Sequence, residues 1–243
     1  MKKLLVYFVL VLSFFCTKLI AQEPVQEQNQ KKVLFKFNHQ KDDASSYVSI
    51  VEEDVYYNGY LSHHAQIVNR ISSVINDVSE DGTADVTANY MTTEDSVSNF
   101  TKKALTWGTE NISQFKRKSD GELIISDYLF MPTVRNVPFF PNKPVAMGES
   151  WTAKGKEVHD MRNYFNMKEP LIIPFDAKYT YSGNTIINNK ELCIIDVEYD
   201  FFFENSREEI LKGNLFYATA GYSRQRLFWD AENGILDHYT EEF

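Results

Sequence analysis

Cysteine is almost missing from this chain. Of 243 residues only Cys16 and Cys193 carry a thiol, and Cys16 lies in a stretch read below as a leader, so the folded part has no internal disulfide. A domain of this length manages without one because 43% hydrophobic and 14% aromatic residues supply a core. Positive charge is scarce as well. The balance is 25 Lys+Arg against 34 Asp+Glu, a formal −9. Removing residues 1–21 takes Lys2, Lys3 and Lys18 away, so 25 against 34 becomes 22 against 34 and the charge moves to −12. That sign excludes nucleic acid as a partner and opposes docking on anionic lipid, since phosphate contacts need clustered Lys and Arg. Gly-rich phosphate loops, HExxH and paired-cysteine spacings are missing too, so no cofactor and no metal is expected.

Long apolar runs are equally rare. The one near the start, Leu4 to Phe15, follows Met1-Lys2-Lys3 and is too short to cross about 30 Å of hydrocarbon as a helix. It reads as a secretory signal cut after Ala21, where Leu19-Ile20-Ala21 loosely follows the small-residue cleavage pattern. Lipoprotein anchoring at Cys16 is the rival reading. Either way the mature chain carries no transmembrane helix, and the protein is expected to be exported, to the periplasm or in association with the outer membrane. Residues 22–30 (QEPVQEQNQ) hold one apolar residue and read as a flexible leader.

From residue 31 onward the pattern is strand, turn, strand. Asn58-Gly59, Asp81-Gly82, Asp120-Gly121 and Asn233-Gly234 supply the positive φ of tight hairpins. Ala84, Val86, Ala88 and Tyr90 alternate with Thr83, Asp85, Thr87 and Asn89, which predicts one buried face. Cys193, Ile195, Val197, Tyr199, Phe201 and Phe203 form a longer buried file. Ile67, Ile71, Val74, Ile75 and Val78 also fit a helical stripe, but the apolar positions of 67–78 are all β-branched and run into Asp81-Gly82, so a strand is predicted. Pro132, Pro138, Pro141 and Pro144 break the pattern, which marks 131–151 as a crossover between an N-terminal sheet of about 31–130 and a C-terminal sheet of about 171–243. Lys156 to Met167 is read as one short helix, with Val158, Met161 and Phe165 on one face. The fold class is therefore all-β: mostly antiparallel curved sheets forming a sandwich or half-open barrel in a single domain, 31–243.

Chemistry is thinly represented. His63 and His64 are strand neighbours and point to opposite faces, so they do not chelate one ion. His39, His159 and His238 show no ligand spacing. Ser150, in Gly148-Glu149-Ser150-Trp151, lacks the elbow of a hydrolase nucleophile, and Cys193 sits in a buried file as a small hydrophobe. The carboxylate pairs Glu52-Glu53, Glu208-Glu209 and Glu241-Glu242 leave open a glycoside-type hydrolase. Aromatics are the more promising group. Phe139-Phe140 in the crossover, with Trp107 and Trp151, either plugs the open end of a curved sheet or lines a pocket for a lipid-like or other apolar small molecule. A membrane barrel is disfavoured, because counting back from Phe243 by twos meets Glu241 and Asp237 in the file that would face lipid.

The succession Val137-Pro138-Phe139-Phe140-Pro141, Lys143-Pro144-Val145, Gly148-Glu149-Ser150-Trp151, Tyr179-Thr180-Tyr181-Ser182-Gly183 and Phe228-Trp229-Asp230-Ala231-Glu232-Asn233-Gly234 resembles a group of bacterial extracytoplasmic β domains of unknown function. The resemblance covers nearly all of 31–243. Similar modules sometimes precede an OmpA-like peptidoglycan-binding domain, so the resemblance implies an envelope protein or peptidoglycan-associated partner. The combined expectation is a noncatalytic exported module that binds such a partner. A carrier for an apolar ligand is the alternative and a carboxylate hydrolase the second one. A partner-binding module should have a filled interior and an exposed apolar patch or free strand edge. A carrier should enclose roughly 300 Å³ or more beneath Phe139-Phe140.

Overall fold

The computed structural model describes residues 31–97, 107–162, 167–205 and 218–243. These form an all-β unit of two curled antiparallel sheets, each a half-barrel. The first sheet is a meander of β1 (Ala44–Tyr57), β2 (Tyr60–Val78), β3 (Ala84–Val97), β4 (Asn111–Arg117) and β5 (Leu123–Ile124), in that spatial order. The second comprises β6 (Val134–Arg135), β7 (Ser150–His159), β8 (Leu171–Ile187), β9 (Lys190–Glu204), β10 (Ala218–Asp230) and β11 (Ile235–Glu242), again each beside its sequence neighbour. Among the described residues no helix is long and apolar enough to cross a membrane.

Local chemistry explains the meander. Asn58 and Gly59 take φ of 51° and 80° between β1 and β2, the left-handed pair a two-residue hairpin needs to match strand twist. Gly82, Gly121 and Gly234 also have positive φ, so all four predicted turns form. A fifth, Asn188-Asn189 (φ 52° and 64°) between β8 and β9, uses the tolerance of asparagine for this region. The disputed stretch 67–78 lies within β2. Its stiff β-branched side chains pair with β3 in register, Ile71 opposite Tyr90 and Ile75 opposite Val86.

Each sheet buries its own file. Ile75, Ala84, Val86, Ala88, Tyr90 and Phe115 make the smaller core. The larger is built on Tyr179, Tyr181, Ile195, Val197, Tyr199, Leu227 and Trp229, which bears out the predicted file from Cys193 to Tyr199; Phe201 is partly buried against it, and Phe203 is half-buried. Burial in the smaller core pushes the Tyr90 phenol up to about 12.

Three boundaries differ from expectation. The stretch at the start of the predicted N-terminal sheet belongs to the other core: Phe35 is buried there with Val33 and Phe37 against it, and Val33 bridges Val145. Val33, Phe35 and Phe37 alternate with Leu34 and Lys36, a pattern that can say which side chains turn inward but not which sheet they turn toward. The C-terminal sheet starts inside the crossover, at β6, well before 171. The short helix predicted over Lys156–Met167 is replaced by strand up to His159, because pairing of β7 with the long β8 outweighs a weak helical stripe; residues 163–166 lie outside the described part.

The segment after Val33 stitches the sheets together. The Phe37 amide donates to the Ser119 carbonyl (2.7 Å), that of Asn38 to Gly234 (3.2 Å), and that of Asp42 to Ile75 (2.9 Å). Close approach at these seams requires glycine: a Cβ on Gly121 would lie 2.2 Å from the Pro138 carbonyl oxygen.

Candidate functional site

Three regions hold the residues singled out in the sequence. The first is the aromatic interior of the second sheet. Phe140 is 3% exposed, with ring centroids 5.8 Å from Phe35, 5.8 Å from Phe37 and 4.7 Å from Trp229. Trp151 stacks on Tyr179 at 5.1 Å and on Phe35 at 5.9 Å. The backbone of Phe139 is clamped, its carbonyl accepting from Trp151 Nε1 (2.9 Å) and its amide donating to the Tyr179 hydroxyl (3.2 Å). Phe139, Phe140 and Trp151 thus come together, and the space beneath them is occupied by rings. Sequence reasoning missed Phe35 and Phe37, which supply half of this packing; their alternation with Leu34 and Lys36 is the signal that could have marked them as inward, but their partner sheet lies about 100 residues downstream. Trp107 does not join the group. It lies on the first sheet, bridged to Thr93, with the Arg70 guanidinium 4.2 Å from its ring.

The second region is the outward face of β8 to β11. Thr180, Ser182, Asp196, Glu198, Arg224 and Arg226 line an open groove of about 640 Å³. They alternate with the buried file, so this groove opens on the face away from the aromatic rings. Cross-strand ion pairs hold its lining residues, Arg226 Nε to Asp196 within the groove (2.7 Å) and Glu198 to Lys178 outside it (2.8 Å). Lys178 is the main reason the Glu198 carboxyl lies below the usual range.

The third region is the arm formed by β1 and the tip half of β2. In the described residues β1 has a neighbour on one side only, so it is the edge of its sheet. Ala44 through Val51 carries no charge. Val48 (62%) and Ile50 (64%) stand exposed on one face, and Tyr56, Tyr57 (75%), Tyr60 (80%) and Leu61 crown the hairpin. A single bulge lies between Val55 and Tyr56. Beyond it a polar clamp ties the two strands: His64 Nε2 meets Glu52 at 2.9 Å and His64 Nδ1 meets Asp54 at 3.0 Å. Hydrogen bonds to Asp54 and then Glu52 raise the imidazole above its ordinary value. Gln66, and then His64, draw the Glu52 carboxyl down. Because both ring nitrogens are engaged by carboxylates, this trio is a strand clamp, and no group of three or more His, Cys, Asp or Glu among the described residues has metal-holding geometry. His63 turns to the opposite face and meets Ser62 at 3.3 Å.

The remaining candidates are placed as follows. Cys193 is buried, its thiol pushed up by desolvation, 3.7 Å from the Tyr181 hydroxyl. Ser150 Oγ is 2.9 Å from Thr180 Oγ1. Adjacent acids on a strand diverge: Glu241 accepts from Ser223 (2.7 Å) and Gln225 (3.0 Å), whereas Glu242 accepts from Tyr222 (3.1 Å). Glu208-Glu209 lies outside the described residues.

No family model matches the chain, and neither a curated protein nor a solved structure is significantly similar to it.

Proposed function

We propose that the protein is a noncatalytic exported envelope module that binds a protein partner through the β1–β2 arm. The observation that carries this reading is the arm itself, where an edge strand uncharged from Ala44 to Val51 and a crown of exposed tyrosines stand on one hairpin. A free edge offers backbone donors and acceptors to another strand. Exposed tyrosines are large, rather rigid anchors that dominate interface energies. The interior of the second sheet supports the same reading, because rings fill the place beneath Phe139-Phe140 where an apolar ligand would sit. Export rests on the leader residues Met1 to Ala21.

The test places a photo-crosslinking residue at Tyr57 in envelope extracts and, separately, at Phe202, an exposed ring on the other sheet. One protein should couple to position 57 and not to 202. A Tyr60→Ser, Leu61→Ser variant should cut that coupling at least tenfold, since hot-spot truncations cost about 2 kcal/mol or more. Equal coupling at both positions, or coupling indifferent to the two tip substitutions, would remove the arm as the binding surface.

A further inference from the structure

Resting on that reading of the arm, we infer that the β1 edge pairs with the β1 edge of a second copy of this chain, antiparallel about a two-fold axis at Ser49, joining two five-stranded sheets into one.

The direction of the free amides follows from the observed ladder. The Ile75 amide donates to the Asp43 carbonyl (2.9 Å). The β1–β2 register is then unbroken from Ala44 opposite Val74 to Val55 opposite His63. Hydrogen-bonded and non-bonded pairs alternate along an antiparallel ladder. Odd residues of β1 therefore bond β2, and Ala44, Ser46, Val48, Ile50, Glu52 and Asp54 turn their N–H and C=O toward the open edge. A two-fold at Ser49 sets these against one another, 44 with 54, 46 with 52 and 48 with 50, and each pair exchanges two bonds, about twelve in all.

Side chains select that register. Val48 meets Ile50 twice on one face and Tyr47 meets Val51 twice on the other, as β-branched and aromatic cross-strand pairs. Glu52, Glu53 and Asp54 fall opposite Ser46, Ser45 and Ala44, so no acid faces an acid. Moving the axis to Ile50 puts Glu52 against Val48 and Glu53 against Tyr47. Moving it to Val51 puts Glu52 against Ile50 and Asp54 against Val48. An axis at Glu53 opposes Glu53 to itself. Moving it the other way, to Val48, keeps a single Val–Val pair and sets Ile50 against Ser46. The acid run at the tip end of β1 thus acts as a register stop, and the eight uncharged residues before it are the adhesive part. Self-complementary pairing of one patch is the form a two-fold interface takes.

The experiment uses the full chain in a Cys16→Ser background, which leaves Cys193, buried in the fold, as the remaining thiol. Sedimentation across about 1–200 μM protein should show a monomer–dimer equilibrium. Ile50→Lys should raise its Kd at least tenfold with the circular dichroism spectrum unchanged. Ser46→Pro should do the same, since it removes a donor on the open edge and spares the bonds to β2. Ser49→Cys should form a disulfide dimer under mild oxidation, because a non-bonded pair brings its Cα atoms to about 4.5 Å. Glu53→Cys should not, its two copies lying roughly 27 Å apart along the strands. A monomer throughout the range, a dimer indifferent to Ile50→Lys, or equal cross-linking at 49 and 53 overturns the inference. Tyr60→Ser with Leu61→Ser, which disables the arm as a partner site, leaves the dimer intact because the tip lies beyond residue 54. Failure of self-pairing and failure of the arm reading are therefore separate results.

Discussion

Removing the Asp127 carboxylate should destabilise the protein more than removing the cation it serves. Arg135 of β6 has a side chain 2% exposed, and its NH1 is 2.9 Å from Asp127 Oδ1. It also donates to the carbonyls of Ser126 (3.3 Å) and Leu129 (3.2 Å), while its Nε has no partner among the described residues. Desolvation lowers the guanidinium pKa and Asp127 opposes that shift. Lys156 reaches the same carboxylate oxygen at 2.7 Å. Asp127→Ala therefore strands one deeply buried cation and one half-buried one. Breaking a buried pair costs about 3–5 kcal/mol; the two carbonyls that still receive Arg135, and the partial exposure of Asp127, reduce this to roughly 2–4 kcal/mol. Arg135→Met fills most of the same volume and leaves Asp127 with Lys156, so it should cost about 1–2 kcal/mol. For a domain of this size 1 kcal/mol moves Tm by about 2–4 °C. Calorimetry should therefore place Asp127→Ala roughly 4–16 °C below wild type, with Arg135→Met nearer to it. A loss below about 1 kcal/mol for Asp127→Ala, or Arg135→Met proving the worse of the two, would refute the view that an uncompensated charge sets the cost.

Three further outcomes follow from the same geometry. His39 Nδ1 donates to the Gly82 carbonyl at 3.1 Å and its Nε2 accepts from Arg117 at 3.2 Å. Burial, with help from Arg117, depresses its pKa despite the Gly82 bond. A group depressed on folding contributes stability above its unfolded value of 6.5 that is lost as pH falls through the folded one, so the urea midpoint should drop below about pH 6.5 and the drop should shrink in His39→Gln. His64 is shifted the other way, so its contribution to the arm is complete below 6.5 and fades as pH rises through the raised value; NMR titration should find its pKa above 6.5, with Asp54→Asn bringing it down, and an unshifted His64 would dissolve the clamp. Gly155→Ala should cost about 1–3 kcal/mol by overpacking, because its Cβ would lie 2.4 Å from the Phe175 ring, and that ring, stacked at 3.9 Å on Tyr199, has no room to retreat; chemical denaturation showing a loss well under 1 kcal/mol would mean the stack is loose.

Much of this was legible in residue order, and where legibility stopped is instructive. Ala84 to Tyr90 and Cys193 to Tyr199 are buried as their alternation predicts, since the pleat is a property of each strand alone. The Asn-Gly and Asp-Gly turns form because left-handed φ is a local preference. Asn188-Asn189 carried the same signal in a weaker form and was not read. The clamp on the arm shows the limit more sharply. Counting from the hairpin turn, where Tyr57 faces Tyr60, His63 would stand opposite Asp54. The bulge after Val55 adds one residue to β2 and puts His64 there instead. Trp107 and Trp151, grouped by their chemistry, were separated by topology onto different sheets.

Strand, turn and face were decided by the chain itself, because stiff branched side chains, period-two hydrophobicity and asparagine or glycine at corners act over a few residues. The sheet each strand joins, the rings that fill the space under Phe140, and the sheet order that leaves β1 at an exposed edge were decided only in three dimensions. Those outcomes depend on pairing between segments as much as 100 residues or more apart. Many registers satisfy the same alternation, and only the summed packing of both sheets selects one among them.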